Sequence, residues 1–161
     1  MHSLKVLSIG ARTEMELFSL IAAGFDPKNI TLVDLISYSP FIELGDMHHL
    51  NYDDNSFDVI VVSTVFLCSN NKSKAASEII RTLKPGGIVA FGDKRDPAEG
   101  CPNLTPIEVE VNRQHLTNCD EILNLFHPHV GNIYFRTDPE PPFNDEITAS
   151  MVVIFEIDKS L

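Results

Sequence analysis

Lys5-Val6-Leu7-Ser8-Ile9-Gly10-Ala11-Arg12-Thr13-Glu14-Met15-Glu16 is the stretch whose reading decides the fold. Val6, Leu7 and Ile9 make a nearly continuous apolar run, the pattern of a strand covered on both faces in a parallel sheet. Gly10 supplies a sharp turn. Thr13, with Glu16 three residues on, has the spacing of a capping box and predicts that a helix begins there. A strand that ends at a glycine and turns at once into a helix aims free backbone N–H groups, and the positive end of the helix dipole, at the carboxyl edge of the sheet. In open α/β sheets ligands sit at that edge, where the strand order reverses.

The rest of the chain alternates strand and helix. Met15, Phe18, Ile21 and Ala22 recur at helical spacing and predict the core-facing stripe of the first helix, ended by Gly24. Ile30–Asp34 reads as a second strand closing on an acid, and Glu43–Asp46 as a brief third. Between them Ser37-Tyr38-Ser39-Pro40 leaves room only for a turn or a single helical turn. Phe57–Ser63 is a fourth strand. Ala75, Ala76, Ile79, Ile80 and Leu83 mark a second helix, closed by Lys84-Pro85-Gly86-Gly87 before a fifth strand at Ile88–Gly92. Asp96–Arg113, with three prolines, reads as a long loop. Thr117, followed by Asp120, is expected to cap a last helix with core residues Ile122, Leu123, Leu125 and Phe126. Asn132–Arg136 and Ser150–Ile157 flank a Pro-rich loop, Asp138–Asn144, and should pair antiparallel. The expected class is α/β, a doubly wound sheet.

A length of 161 residues suits one domain spanning 1–161. Hydrophobic residues at 43% and charged residues at 22% match an ordinary globular chain. No apolar run approaches the ~20 residues that cross a bilayer. The start, Met1-His2-Ser3-Leu4, shows no signal-peptide core, and the three cysteines (Cys68, Cys101, Cys119) have no CxxC spacing; a cytoplasmic setting is expected. Twelve basic against 23 acidic residues give a net charge of −11, with no Lys/Arg cluster, which disfavours nucleic acid and anionic membranes as partners.

Four local patterns carry a resemblance. The longest is Gly45-Asp46-Met47-His48-His49-Leu50-Asn51-Tyr52-Asp53-Asp54-Asn55-Ser56-Phe57-Asp58-Val59-Ile60-Val61-Val62-Ser63, in which a Gly-Asp precedes an apolar residue and a Ser-Phe-Asp opens the next strand. The second is Glu78-Ile79-Ile80-Arg81-Thr82-Leu83-Lys84-Pro85-Gly86-Gly87, a helix-to-strand turn. Asp34 at the end of the second strand and Gly10 at the end of the first complete the set. Together they resemble the class I S-adenosylmethionine-dependent methyltransferases, over essentially the whole chain. The resemblance implies a Rossmann-like, mostly parallel sheet of about seven strands with an antiparallel C-terminal strand and helices on both faces. It implies S-adenosyl-L-methionine as cofactor, with contacts from Gly10, Ala11, Arg12, Glu14, Asp34, Leu35, Asp46, Met47 and Ser63. Asp34 would take the ribose hydroxyls, Asp46 the adenine amino group, and Met47 the side of the ring. Ser63, Thr64 and Val65 would lie where donor and acceptor meet.

The chain departs from the family pattern at its glycine-rich loop, where Ser8, Arg12 and Glu14 stand in place of an acid and two glycines. Glycines there permit close backbone approach to the ligand. Two readings stay open. Arg12 and Glu14 pair with the carboxylate and ammonium of the methionyl part, or they fill the pocket of a catalytically inactive binding module. The dinucleotide fingerprint G-x-G-x-x-G is absent, which sets an NAD-dependent oxidoreductase third. Adjacent His48 and His49 read as surface residues, with a base role for His48 as the alternative. The absence of helices before the first strand and the short connection after Asp34 point to an open site, covered by a partner domain or a second copy. The acceptor is a small molecule or a protein side chain, and the Asp96–Arg113 loop is the candidate for contacting it.

Overall fold

The computed structural model describes residues 3–94, 116–138 and 150–160. Among them, strands β1 (Val6–Ile9), β2 (Ile30–Asp34), β3 (Glu43–Leu44), β4 (Phe57–Ser63), β5 (Leu83–Lys94), β6 (Val130–Thr137) and β7 (Ser150–Ile157) build one sheet, in the order β3-β2-β1-β4-β5-β7-β6. Neighbours are parallel from β3 across to β5, and β7 runs antiparallel to both β5 and β6. The doubly wound sheet with a reversed last strand is therefore present. Its order reverses between β1 and β4, so a crevice opens outside their carboxyl ends, beside Gly10 and Ser63.

The pleat sends successive side chains to opposite faces, and these strands are apolar on both. On one face Leu7, Ile9, Ile60, Val62, Phe91 and Phe155 meet the buried stripes of α2 (Lys72–Thr82) and α3 (Cys119–Phe126), chiefly Ala75, Ile79, Ile122 and Phe126. Each large side chain buried there contributes on the order of 1.5–3 kcal/mol, so this layer holds the fold. The opposite face carries Ser8 in register with Leu32, and α1 (Met15–Ala22) covers only the β1–β2 end of it.

Several expectations for the elements need correction. Leu17 and Leu20 pack α1 on Ala11, Leu32 and Ile42, whereas the expected stripe faces outward: Met15 is 65% and Phe18 57% exposed. Met-Glu-Leu-Phe-Ser-Leu-Ile-Ala is apolar on both sides, so spacing alone could not choose the buried one. The N-cap of α1 is Glu14, without a side-chain cap bond. Thr13 makes only long contacts, 3.4 Å from the Met15 amide and 3.4 Å to Glu16. In α3 the cap is Asn118, which accepts from the Glu121 amide at 3.1 Å, while Thr117 donates its N–H and hydroxyl to the Glu121 carboxylate. Strand β5 begins directly at Leu83, with Pro85-Gly86-Gly87 as an irregularity in its register against β4. The Asp96–Arg113 loop, Cys101 and residues 139–144 of the Pro-rich loop lie outside the described residues. Among the described residues no helix is long and apolar enough to cross a membrane.

The Glu78…Arg81 motif turns out to be a clamp on the loop between β3 and β4. Arg81 donates to the carbonyls of Leu50 and Tyr52, to Asp54 and to Glu78, and Glu78 accepts from the Leu50 amide at 2.9 Å. The Arg81 guanidinium holds the Glu78 carboxyl below the ordinary glutamate value against the opposing effect of burial, and the Leu50 amide adds to it. A lowered native pKa gives stability that is complete above the ordinary value and drains away as pH falls through the native one. Glu78→Gln is expected to cost about 1–3 kcal/mol at neutral pH. It should also flatten the fall in melting temperature between about pH 5 and pH 3. An acid limb identical to the parent's would show that the clamp has no part in it.

Candidate functional site at the carboxyl edge

Gly10 sits at φ +84°, and its amide donates to the Val33 carbonyl at 2.8 Å, pinning the end of β1 to β2. A Cβ on Gly10 would lie 2.5 Å from the Val65 side chain, so only glycine allows the loop after β4 to close on this turn. Thr64, just before Val65, holds a left-handed φ of +50°, a costly conformation for a β-branched residue. Both sides of the switch point are thus tightly defined.

Two carboxylates end the neighbouring strands. Asp34 is 9% exposed; one oxygen accepts from the Ile36 amide at 3.0 Å, and its carbonyl accepts from Gly45. Asp46 follows Gly45, whose missing Cβ makes room for Val33. Its Oδ1 accepts from the His48 amide at 2.8 Å and from His48 Nδ1 at 2.6 Å. Partial burial works against ionisation of Asp46, but these bonds outweigh it and hold its carboxyl below the usual range. In each acid the second oxygen has no partner among the described residues.

Of the residues expected to bind a cofactor, Gly10, Asp34, Leu35, Asp46 and Ser63 lie at this edge. Others are placed differently from a simple ligand shell. Ala11 and Met47 are buried, so only their backbones can face a ligand. Glu14 is engaged by the Ser39 hydroxyl, which lowers its carboxyl pKa. Arg12 is exposed, and its guanidinium is paired with none of the described residues.

Sequence reasoning read His48 as a surface residue, with a base role as the alternative, and did not foresee its bonds to Asp46 and Ser69. The histidine side chain is only 20% exposed, and Nε2 lies 2.7 Å from the Ser69 hydroxyl. The available signal was Asp-x-His in a tight loop, a spacing that folds the imidazole back onto its own carboxylate. His49 is exposed.

On the α1 side, a cavity of about 330 Å³ adjoins the edge, lined by Ser8, Met15, Glu16, Ser19, Leu20, Val61 and Ser63. The Ser8 hydroxyl beneath it is buried and has no partner among the described residues. A groove of about 400 Å³ opens at the opposite, amino edge among Lys5, Lys28, Thr31, Tyr52 and Phe57. It shares no residue with the carboxyl edge, and no strand-to-helix turn aims groups into it.

Comparison with known proteins agrees with this geometry. A family model described as a methyltransferase domain matches residues 11–91. The chain is 35% identical over 66 residues to the glycine/sarcosine/dimethylglycine N-methyltransferase of Actinopolyspora halophila, a match covering 41% of this chain and 12% of that protein. It is 32% identical over 79 residues to the phthiotriol/phenolphthiotriol dimycocerosates methyltransferase of Mycobacterium leprae, covering 48% of this chain and 29% of that one. The matches thus span well under two thirds of either relative. The solved SAM-dependent methyltransferase of Methanosarcina mazei superposes over 98% of this chain and 94% of its own with a TM-score of 0.65. At 15% identity that likeness is one of fold.

A buried hydroxyl with no partner costs about 1–3 kcal/mol in lost solvation. Ser8→Ala is therefore expected to raise the melting temperature. A fall instead would mean that the hydroxyl is satisfied in solution, by water or by a ligand in the adjoining cavity.

Proposed function

The chain belongs to the methyltransferase domain family, and from that premise we propose that it binds S-adenosyl-L-methionine at the carboxyl edge and transfers its methyl group. The observation that carries this reading is the pair of half-committed carboxylates. Asp34 and Asp46 each spend one oxygen on fixing their own loop and keep one for a ligand, beside the Gly10 turn. One carboxylate oxygen at Asp34 suits the cis hydroxyls of a ribose, and one at Asp46 suits the amino group of adenine. The residues present fit the nucleoside half of the cofactor. When bound, the cofactor supplies an electrophilic methyl carbon on a sulfonium sulfur.

What this chain must add is alignment and exclusion of water. Proximity can supply on the order of 7–11 kcal/mol of the acceleration, and a base is needed only when the acceptor must lose a proton. Ser63, Thr64 and Val65, at the end of β4 and across the switch point from Gly10, would line the acceptor's approach. Both curated relatives carry small-molecule acceptors in their names, which favours a small molecule over a protein side chain. The exposed apolar residues Met15, Phe18, Leu35, Ile36, Tyr38, Phe41 and Leu44 beside the edge favour a covering partner domain or second copy.

A second reading, an inactive binding module, draws on two observations: Arg12 and Glu14 replace the family's glycines, and Val65 lies against Gly10. Calorimetric titration with S-adenosylhomocysteine separates the two. Binding with a dissociation constant of roughly 1–100 µM is expected, and no heat at millimolar ligand removes the donor-site reading. If Arg12 and Glu14 grip the amino-acid part, the double variant Arg12→Gly with Glu14→Gly binds less tightly than the parent. Tighter binding by that variant would mark them as plugs and favour the inactive module.

A further inference from the structure

A carboxylate can only accept hydrogen bonds, so Asp46 can distinguish a nucleobase that offers an amino group from one that offers a carbonyl. It does so sharply only if its oxygens are held in place. Here they are, by a continuous chain of hydrogen bonds. The Asn71 amide donates to Ser69 Oγ at 3.1 Å, Ser69 Oγ lies 2.7 Å from His48 Nε2, and His48 Nδ1 lies 2.6 Å from Asp46 Oδ1. The tautomer with its proton on Nδ1 would donate to Asp46 and accept from the Ser69 hydroxyl at Nε2, so that donors and acceptors along the chain all match.

The far end of the chain is rigid. Ser69 is 3% exposed, and its carbonyl accepts from the buried Lys72 ammonium at 3.1 Å, in the turn that leads into α2. The His48 amide makes a second bond to the same Oδ1, at 2.8 Å, while Oδ2 has no partner among the described residues and is open to a ligand. The Asp46 side chain is 48% exposed, so that oxygen can be reached from the crevice.

We propose that His48 is a positioning residue that sets nucleobase specificity: anchored on Ser69, its imidazole consumes one oxygen of Asp46 and turns the other toward the exocyclic amino group of adenine. The proposal rests on the donor-site reading above and adds to it the residue that makes Asp46 discriminate. His48 does not touch the reacting atoms.

The test compares S-adenosylhomocysteine with its 6-deamino analogue, in which purine replaces adenine, by calorimetry on the parent, His48→Phe and Ser69→Ala. The parent is expected to bind the adenosyl compound about tenfold more tightly than the purine compound, the scale of one hydrogen bond to a charged acceptor. His48→Phe should lose most of that preference, through weaker adenosyl binding with the purine affinity changed less than about twofold. Ser69→Ala, which keeps the ring and removes its anchor, should fall between the two. Melting temperatures establish that each variant folds, and if His48→Phe does not, Ser69→Ala carries the comparison. Equal losses on both ligands, or no loss, would overturn the role of His48 while the donor site stands. So would a parent that binds both compounds equally. A parent that binds neither would overturn the donor site itself, and His48 with it.

Discussion

At the switch point, three strand ends meet through one residue that has no side chain. Gly10 gives its amide to Val33 at the end of β2 and leaves a space that Val65, after β4, fills. A larger residue would meet both a positive φ and a side chain 2.5 Å away. The carboxyl ends of β2, β1 and β4 are therefore fixed relative to one another before any ligand arrives. Since Gly45 in turn bonds the Asp34 carbonyl, the same constraint passes on to β3 and Asp46. The geometry of both acids is a consequence of how the strand ends pack.

Packing energy is distributed unevenly between the two faces of the sheet. The layer of α2 and α3 buries Ile60, Val62, Val153 and Phe155, whereas Val59, Val61, Val152 and Ile154 on the opposite face stay partly exposed among the described residues. Most hydrophobic stabilisation therefore comes from the face away from α1. The α1 side, with its cavity and a Ser8 hydroxyl that has no partner among the described residues, can vary at lower cost to the fold. That division places the deformable surface beside the edge where chemistry is proposed.

The strands were legible in the sequence because runs such as Val59-Ile60-Val61-Val62 allow few other placements, and the two long motifs carried the resemblance that implied a doubly wound sheet. The orientation of α1 was not, because a helix apolar on both sides carries no phase information until its neighbours are known. The caps shifted by one residue: Asn118, beside Thr117, offers its own side-chain oxygen to the Glu121 amide, and α1 starts after Glu14 with no side-chain cap bond. Asp34 and Asp46 were singled out through the family resemblance, since an acid at a strand end is by itself a common cap. The bonds of His48 were not legible, because its partner Ser69 is 21 residues away and joins it only once α2 has docked.

The two halves of the proposed site differ in kind. On the nucleoside side, Asp34 is buried and tied to Ile36, and Asp46 is tied to His48, so little side-chain entropy remains to be lost on binding. On the amino-acid side Arg12 and Glu14 stand where the family pattern has glycines, and in the donor-site proposal they would take over from backbone donors. Ordering a long charged side chain costs up to about 2 kcal/mol, which offsets most of what one ion pair at the surface contributes. Under the donor-site proposal, the loss of glycines would move the grip rather than abolish it, with affinity concentrated on sugar and base and the methionyl end left to Arg12 and Glu14. A site built this way would depend more heavily on the fidelity of Asp46, and the histidine proposed to immobilise it would matter more than in a loop rich in backbone donors.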